Sequence, residues 1–295
     1  MKRWIEIAVL LLGIVLVPGV RAADQPVSPA KSGDAPVNLV QNGDAETGTL
    51  DGWIGFKKVI SDDPHSGKFC FTAGGNVRVN STAYIPIDPN KTYTLTAWLK
   101  STGKEPSIVY VGYIPCDADK ASIEHRAVDA CPGTETTLVE ACSPEDKVLK
   151  IADGSKWVPG PTTGVAFDVD DSGKYADLPN QKFIGFNILR VENKGEYWEV
   201  HLQDVYGKAC PAGTKVREHL AGGTCIYNAA IDTSVPTQWT KYTGTVCGSA
   251  LFGAPENQWW HGTKYAQVLL LLNWGQNDAV SVAVDDISVT ASDSK

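Results

Sequence analysis

The chain has 295 residues and a formal net charge of −8, with 34 acidic against 26 basic residues. An acidic balance of this size argues against nucleic acid or an anionic membrane surface as the partner. The length requires no second domain, since one all-β domain can take up about 250 residues.

The first segment of the chain has the parts of a signal peptide. Lys2 and Arg3 give a positive start, residues 5–17 are apolar except for Glu6, and small residues lead up to Ala23. This apolar run is shorter than the roughly 20 residues that span a bilayer. We predict that cleavage removes residues 1–22 and that the protein is secreted or periplasmic in a bacterium. The Pro-, Ser- and Ala-rich residues 23–37 predict a flexible leader.

From Asn38 onward the sequence alternates apolar and polar residues with the period of two that is typical of β-strands. In residues 91–101, Tyr93, Leu95, Ala97 and Leu99 alternate with threonines and Trp98. Similar runs lie at 107–114, 182–191, 197–202, 241–246, 265–272 and 280–290. Turns rich in Gly, Pro and Asn separate these runs, and no long stretch keeps a helical apolar face. The pattern predicts one all-β sandwich or barrel domain over residues 38–292.

Residues from about 116 to 180 interrupt this pattern. They contain three cysteines, several acidic residues and few strand-like runs. We predict long loops inserted between strands of the sandwich, and long ordered loops in a compact domain are usually functional.

The seven cysteines fall within the exported part of the chain, where oxidation can pair them. They are Cys70, Cys116, Cys131, Cys142, Cys210, Cys225 and Cys247. No two of them have the C-x-x-C spacing of a zinc or redox site, so disulfides or buried thiols are expected. Cys210 and Cys225 flank a Gly-rich segment that looks like a hairpin, which makes them the first pair predicted. An odd count leaves at least one cysteine unpaired.

Four stretches of the sequence resemble carbohydrate-binding modules of the family 4/9/22 type. In chain order they are NLVQNGDAETGTLDGW (38–53), HSGKFCF (65–71), YIPIDPNKTYTLTAWLKS (84–101) and VAVDDISV (282–289). The resemblance implies a galactose-binding-like jelly-roll β-sandwich. It covers the two ends of the domain only, and the central residues have no counterpart in it.

The same resemblance implies a structural Ca²⁺ where the first and last strands meet. The matching positions are Asp44, Glu46, Ser66, Lys68, Asp285 and Asp286. Calcium takes six to eight oxygen ligands from carboxylates and backbone carbonyls. Consecutive strand residues point to opposite faces, so at most one of Asp285 and Asp286 should reach the ion through its side chain. The alternative is an ordinary turn with solvated acids.

A second acidic loop, residues 168–180, has carboxylates at EF-hand spacings. It carries Asn180 where an EF-hand has a bidentate Glu. A solvated acidic loop is therefore favoured over a calcium loop at this place.

Sugar binding needs flat apolar faces for the C–H side of the ring and planar polar groups for the hydroxyls. The aromatic candidates for such a face are Trp98, Tyr113, Trp198, Trp259, Trp260 and Trp274. For each of them core packing is the alternative role.

These observations predict a secreted, non-catalytic protein that recognises a polysaccharide through exposed aromatic side chains. One alternative is a polysaccharide lyase or hydrolase with its site in the inserted loops. Its candidate residues are His219 with Arg217 and Tyr227, or His261 with Glu256. The other alternative is a structural or adhesive protein of the cell surface.

Overall fold

The structure, a computed structural model, describes residues 37–184 and 187–294. The predicted signal peptide and residues 23–36 of the predicted leader lie outside the described residues. In chain order the strands are β1 (Trp53–Ile54), β2 (Lys58–Ile60), β3 (Cys70–Gly74), β4 (Val77–Ser81), β5 (Ile85–Pro86), β6 (Lys91–Ser101), β7 (Ser107–Cys116), β8 (Thr136–Thr137), β9 (Val148–Ile151), β10 (Thr163–Phe167), β11 (Phe183–Ile184), β12 (Ile188–Asn193), β13 (Trp198–Leu202), β14 (Lys215–Leu220), β15 (Ile226–Val235), β16 (Thr240–Cys247), β17 (Tyr265–Leu272) and β18 (Ser281–Asp293). A short helix, α1 (His125–Val128), precedes β8.

Two large antiparallel sheets form the frame of the fold. One has the order β1-β4-β17-β7-β15, with β5 also paired to β17, and the other has the order β16-β6-β18-β3-β2. Apolar side chains from both sheets, such as Leu95, Val111 and Leu270, form one core cluster with no exposed surface. The predicted all-β sandwich is therefore confirmed.

The two-residue period decides which side chains enter this core. In β6, Tyr93, Leu95, Ala97 and Leu99 are buried, whereas Trp98 and the threonines between them are half-buried on the other face. In β17, Ala266, Val268, Leu270 and Leu272 join the core cluster. Its alternate residues face away from the core, as do those of β7, and the two strands pair in register from Tyr265–Cys116 to Leu271–Tyr110. The outer face of the six-stranded sheet is therefore built from the residues between the core positions.

The segment between β7 and β15 contains the predicted loop-rich insertion at about 116–180, but it is not made of loops alone. It contains α1 and the strands β8 to β14, arranged as two small sheets with the orders β11-β10-β14-β8 and β12-β13-β9. A second apolar cluster, which includes Leu149, Phe167 and Val200, lies among these strands. We call residues 117–222 the insertion, because β-structure continues well past residue 180. Its strands are short, and many pair with strands far away in sequence.

All seven cysteines lie within the described residues, and all are free thiols. The predicted Cys210–Cys225 pair is wrong because the two residues belong to different clusters. Cys210 lies opposite Cys142 and exchanges two backbone hydrogen bonds with it, at 2.9 and 3.0 Å. Cys225 instead packs beside Cys116 on the outer face of the six-stranded sheet.

Candidate functional site

Five aromatic side chains lie on the outer face of the six-stranded sheet, and together we call them the tyrosine face. They are Tyr84, Tyr110, Tyr227, Tyr265 and Trp274. The four tyrosines are half-buried, and Trp274 is 46 % exposed. Buried Leu269, Leu271 and Ile114 form an apolar floor beneath them. Tyr110, Tyr227 and Tyr265 stand on strands of this sheet, so the strand register sets their relative positions, while Tyr84 precedes β5 and Trp274 follows β17.

The rings of the tyrosine face touch through edge contacts. Tyr110 lies 5.1 Å from Tyr227 and 6.1 Å from Trp274 between ring centroids, with interplanar angles of 60° and 76°. At the other end, the Lys120 ammonium lies 5.2 Å from the Tyr84 ring and 5.5 Å from the Tyr265 ring. From Tyr265 to Leu271 the strand rises by roughly 20 Å, which gives the face an elongated shape.

Polar side chains stand between these rings. On the outer face, Arg78 lies opposite Leu271, and Gln267 lies opposite Ile114 on the neighbouring strand. The Gln267 amide nitrogen donates to the carbonyl of Ser81 at 2.6 Å, which leaves its side-chain oxygen available. Burial and the nearby Asp232 carboxylate raise the pKa of Tyr110, so its hydroxyl stays protonated. The face thus combines flat apolar rings with planar polar groups.

Three of the six predicted binding aromatics are in the core, and their assignment to a binding surface is corrected. Tyr113, Trp259 and Trp260 are 0 %, 1 % and 1 % exposed. Tyr113 and Trp259 pack against each other at 5.1 Å, with Tyr93 on the other side of Trp259. No ring face of these residues is open to a ligand.

The other three predicted aromatics lie in separate places. Trp274 belongs to the tyrosine face. Trp98 lies on the outer face of the five-stranded sheet, where the His65 ring stacks on it at 3.8 Å and covers one side. Trp198 packs against Gly154 at the edge of the insertion's apolar cluster. The structure therefore does not bring the predicted set together.

Sequence analysis missed Tyr84, Tyr110 and Tyr265, and considered Tyr227 only for catalysis. The alternation in β7 contained the needed signal. Val109, Val111 and Tyr113 share the core face, so Tyr110 must point to the opposite face. The same reasoning places Tyr265 and Gln267 outside in β17.

The six predicted calcium positions lie around one loop, residues 65–69. Glu46 Oε1 accepts hydrogen bonds from the backbone N–H groups of Lys68 and Phe69 at 2.7 and 2.9 Å. Asp285 Oδ2 accepts from those of His65 and Ser66 at 2.9 and 3.2 Å. Gly67 has a φ of +61°, and a Cβ there would lie 2.3 Å from the Glu46 carboxylate. The loop is therefore built closely around that carboxylate.

Asp285 and Asp286 both reach this loop, so the expectation that at most one could do so is corrected. Asp286 accepts hydrogen bonds from the Ser66 hydroxyl at 2.9 Å and contacts His65 Nδ1 at 2.6 Å. The register of β18 shifts between Asp285 and Ser288, and Asp286 has a φ of 46°. This bulge breaks the alternation on which the expectation rested.

Calcium fits the donor chemistry of this corner. The carboxylates of Glu46, Asp285 and Asp286 and the Ser66 hydroxyl supply oxygen atoms of the kind that calcium takes, while the loop backbone donates its N–H groups to them. Among the described residues, no hydrogen bond is donated to Glu46 Oε2 or Asp44 Oδ2. Glu46 is thus the carboxylate best able to contribute an oxygen to an ion without losing its hold on the loop.

The predicted catalytic set is not assembled. Arg217 and His219 are both buried and in contact, with Arg217 Nε 3.1 Å from His219 Nε2. Tyr227 belongs to the tyrosine face instead. His219 Nδ1 faces the Arg126 carbonyl at 2.7 Å, and burial lowers the pKa of His219 to about 4. Among the described residues, no hydrogen bond or ion pair joins His261 to Glu256.

Arg217 instead ties the acidic loop 168–180 to β14. Its guanidinium donates to Asp177 at 2.8 Å and lies over the Tyr175 ring at 5.1 Å. Asp170 accepts from the Ser172 hydroxyl at 2.9 Å and the Ala176 N–H at 3.0 Å. The loop therefore closes on its own donors and on Arg217.

One trio of potential metal ligands occurs in the described part of the chain, namely Glu192, Glu199 and His201. Lys194 Nζ lies 2.7 Å from Glu192 and 3.3 Å from Glu199. The cluster is thus an ion-pair network on the β12–β13 hairpin, with a cation already supplied by the protein.

Glu218 gives the insertion a pH-dependent stability. Its side chain is buried beside Asp129 and Cys131, and this burial raises its pKa from 4.5 to about 7. The folded state therefore holds this proton more tightly than the unfolded chain, so the stabilisation is complete below pH 4.5 and is lost as the pH rises through 7. The substitution Glu218→Gln should change the free energy of unfolding more favourably at pH 8 than at pH 4.5. We expect the difference between the two effects to be about 1 to 3 kcal/mol.

Urea unfolding of the wild type and Glu218→Gln across this pH range measures that difference. The pKa of Asp129 is also raised by burial, and Cys131 remains a neutral thiol, so both contribute equally to the two proteins. An effect of the substitution that does not change with pH would contradict the assignment.

Residues 37–122 match the family model described as a carbohydrate binding domain (CBM 4/9). The matched region contains three of the four stretches that carry the resemblance seen in the sequence, which is confirmed there. The match supports a carbohydrate-binding role. Tyr84 and Tyr110 lie within the matched residues, whereas the insertion lies almost entirely outside them.

The solved structures that are similar to this chain include three carbohydrate-binding modules. The xylan-binding CBM22-1 domain of Paenibacillus barcinonensis Xyn10C is 8 % identical, with coverage of 86 % of this chain and 94 % of that chain and a TM-score of 0.38. A family 16 carbohydrate binding module is 16 % identical, with coverage of 86 % and 99 % and a TM-score of 0.33. TmCBM61 in complex with β-1,4-galactotriose is 9 % identical, with coverage of 87 % and 99 % and a TM-score of 0.31. No curated protein matches the chain.

The described residues contain no helix with the length and apolar character needed to cross a lipid bilayer.

Proposed function

We propose that this protein is an exported, non-catalytic carbohydrate-binding protein that holds a polysaccharide on the tyrosine face. The observation that carries the proposal is the grouping of four tyrosines and Trp274 on the outer surface of one sheet. Their rings offer apolar surface to the C–H side of sugar rings, and they lose little conformational entropy on binding.

The polar groups of the same face complete the recognition of a sugar. Arg78 and Gln267 are planar groups that can donate to and accept from hydroxyls. The Tyr110 hydroxyl donates to the Asp232 carboxylate, and the oxygens of this pair can accept hydrogen bonds from sugar hydroxyls. Groups of this kind, set between rings, favour a neutral chain with many hydroxyls.

The extent of the face favours a polysaccharide over a single sugar. The rings extend along roughly 20 Å of β17, from the Tyr265 end towards Trp274. A ligand that contacts both ends must have several linked sugar units. The alternative of a lyase or hydrolase lacks its predicted residues at one place, because Tyr227 is separated from the Arg217–His219 pair.

Affinity electrophoresis tests the proposal. The wild-type protein is run through gels that contain xylan, β-1,4-galactan, hydroxyethylcellulose or mannan, with a non-binding protein as the mobility reference. We expect retardation by at least one polysaccharide. Unchanged mobility in all four gels, with and without calcium, would overturn the proposal.

We further propose that the corner around residues 65–69 holds a structural calcium ion. Glu46 and Asp285 would hold the ion together with backbone carbonyls, and the ion would neutralise their charge next to each other. Because such an ion binds the folded state, it stabilises that state by about 2.7 kcal/mol at 100 times its Kd.

We expect a chelator to lower the midpoint of thermal unfolding and added calcium to restore it. The matched variant is Glu46→Gln, which keeps an oxygen for the Lys68 and Phe69 N–H groups but removes the charge. The midpoint of thermal unfolding of this variant should be lower than that of the wild type in calcium, and added calcium should not raise it. A wild-type midpoint that is the same in chelator and in calcium refutes the calcium site.

A further inference from the structure

A cavity lies where the insertion meets the loop that follows β16. Its volume is about 510 Å³. It is lined by residues that follow α1, by residues of β14 and by Phe252 in the loop after β16. Cavities of about 300 to 1,000 Å³ are typical of small-molecule sites. It lies outside residues 37–122 and away from the tyrosine face, so neither the family match nor the proposed sheet surface accounts for it.

A buried carboxylate points into this cavity. Glu218 is 2 % exposed, and its Oε2 accepts a hydrogen bond from the Val158 N–H at 3.0 Å. Its Oε1 has no hydrogen-bond partner among the described residues, and no cation pairs with the group there. Glu218 lines the cavity, so a hydroxyl group of a bound ligand could donate a hydrogen bond to this oxygen.

The opening of the cavity carries apolar side chains that are unusually exposed. Val158, Leu220 and Phe252 are 62 %, 36 % and 37 % exposed. Phe252 is held in place because its ring lies 4.7 Å from that of Tyr175. The next residue, Gly253, donates its N–H to the Val128 carbonyl at 2.8 Å. The aromatic surface is therefore formed before any ligand binds.

The charges around the opening favour a neutral ligand. Asp129 and Lys156 both line the cavity, and they have opposite signs. Asp129 also faces His125 at 3.5 Å, so its charge is partly compensated. An anion would meet the Glu218 carboxylate, and a cation would meet Lys156 at the rim.

We propose that this cavity is a second glycan site, which binds one or two units of a neutral sugar. Hydroxyl groups of the sugar donate to Glu218 Oε1, and the C–H side of its ring rests on Phe252. The ligand class rests on the proposed function, but the site is separate from the tyrosine face. The protein would thus hold a polysaccharide along the sheet and a short glycan segment or chain end in the insertion.

Amide NMR spectra during titration with xylotriose, cellotriose, mannotriose and β-1,4-galactotriose test this site. We expect at least one trisaccharide to shift the Val158 amide, which reports directly on Glu218. Phe252→Leu keeps the apolar volume but removes the flat ring, and it should weaken this response by about 2- to 10-fold. Glu218→Gln should weaken it by a similar factor.

The matched control is Leu251→Ala, since Leu251 is 53 % exposed next to Phe252 and does not line the cavity. The double variant Tyr110→Ala/Trp274→Ala should keep the Val158 response while losing binding on the sheet. A Val158 amide that no trisaccharide shifts, or a shift that survives both cavity variants, overturns the second site. If the wild type shows the cavity response but no binding on the sheet, the result would count against the proposed function only.

Discussion

Replacement of Tyr110 and Trp274 by alanine is expected to abolish most of the polysaccharide binding. Each ring supplies apolar contact of about 1 to 2 kcal/mol, so each single variant should lose roughly 5- to 30-fold in affinity. The two single losses multiply to roughly 25- to 900-fold, and they overlap because the ring centroids lie 6.1 Å apart, so the double variant should lose about 100-fold. Isothermal titration calorimetry with the polysaccharide that retards the wild type measures the affinities of the single and double variants.

The control for this experiment is Trp98→Ala. Trp98 is also an aromatic residue on an outer sheet face, but it belongs to the opposite side of the sandwich and stacks on His65. The Trp98→Ala variant should bind the polysaccharide with the affinity of the wild type. If Trp98→Ala lost the affinity and the Tyr110/Trp274 variant kept it, the binding surface would lie on the five-stranded sheet.

Arg217→Met is expected to have the largest effect on stability among single substitutions in the insertion. Arg217 is fully buried, and its partner Asp177 has only 8 % of its side chain exposed. Removal of the guanidinium leaves a buried carboxylate without a cation, held only by the Asp170 N–H and the Asn180 amide, which costs about 3 to 5 kcal/mol. It also removes the contacts to His219 and Tyr175, so the loop 168–180 should lose its attachment to β14.

Two further variants identify the ion pair as the cause. Lys215→Met removes a cation from the same strand, but its pair with Asp171 is about half exposed, so the cost should be about 0 to 1 kcal/mol. The double variant Arg217→Met/Asp177→Asn should lose less than the sum of its two single variants, because the unpaired charge is gone. Additive losses measured by urea unfolding under reducing conditions would show that Arg217 acts through packing alone.

The frame of this fold could be predicted because its strands are long and alternate regularly. β6 keeps the period of two over its eleven residues, and its two faces come out as the sequence predicts. β17 alternates only at its start and continues as the apolar run VLLLL of a buried strand. The prediction of the aromatic binding site was wrong in β7, where the alternation of the strand separates core-facing from outward-facing residues. Tyr113 was chosen although it shares a face with Val109 and Val111, and Tyr110, on the other face, was passed over.

The insertion could not be predicted in the same way. β8 and β11 have two residues each, which is too short for any period to show. β8 pairs with β14 across about 80 residues of chain, and Cys142 lies opposite Cys210 for the same reason. Pairings of this kind depend on the packing of the second apolar cluster, which no local pattern encodes.

The prediction for the corner around residues 65–69 was wrong in a different respect. The residues were identified through resemblance, and the structure does bring them to one loop. Their side-chain directions were wrong because the bulge at Asp286 is a local backbone feature, with a positive φ that the sequence pattern Asp-Asp does not specify. Bulges of this kind redirect side chains without changing the strand order.

The most direct test of the account is to locate a bound oligosaccharide on the sandwich. Amide and aromatic NMR signals would be followed during titration with an oligosaccharide of the polysaccharide that retards the wild type. Binding on the tyrosine face predicts shifts at Tyr110, Tyr265, Trp274 and the Gln267 side-chain amide, with those of Trp98 and Trp239 unchanged. Shifts confined to Trp98 and Trp239, or to neither outer face, would contradict it.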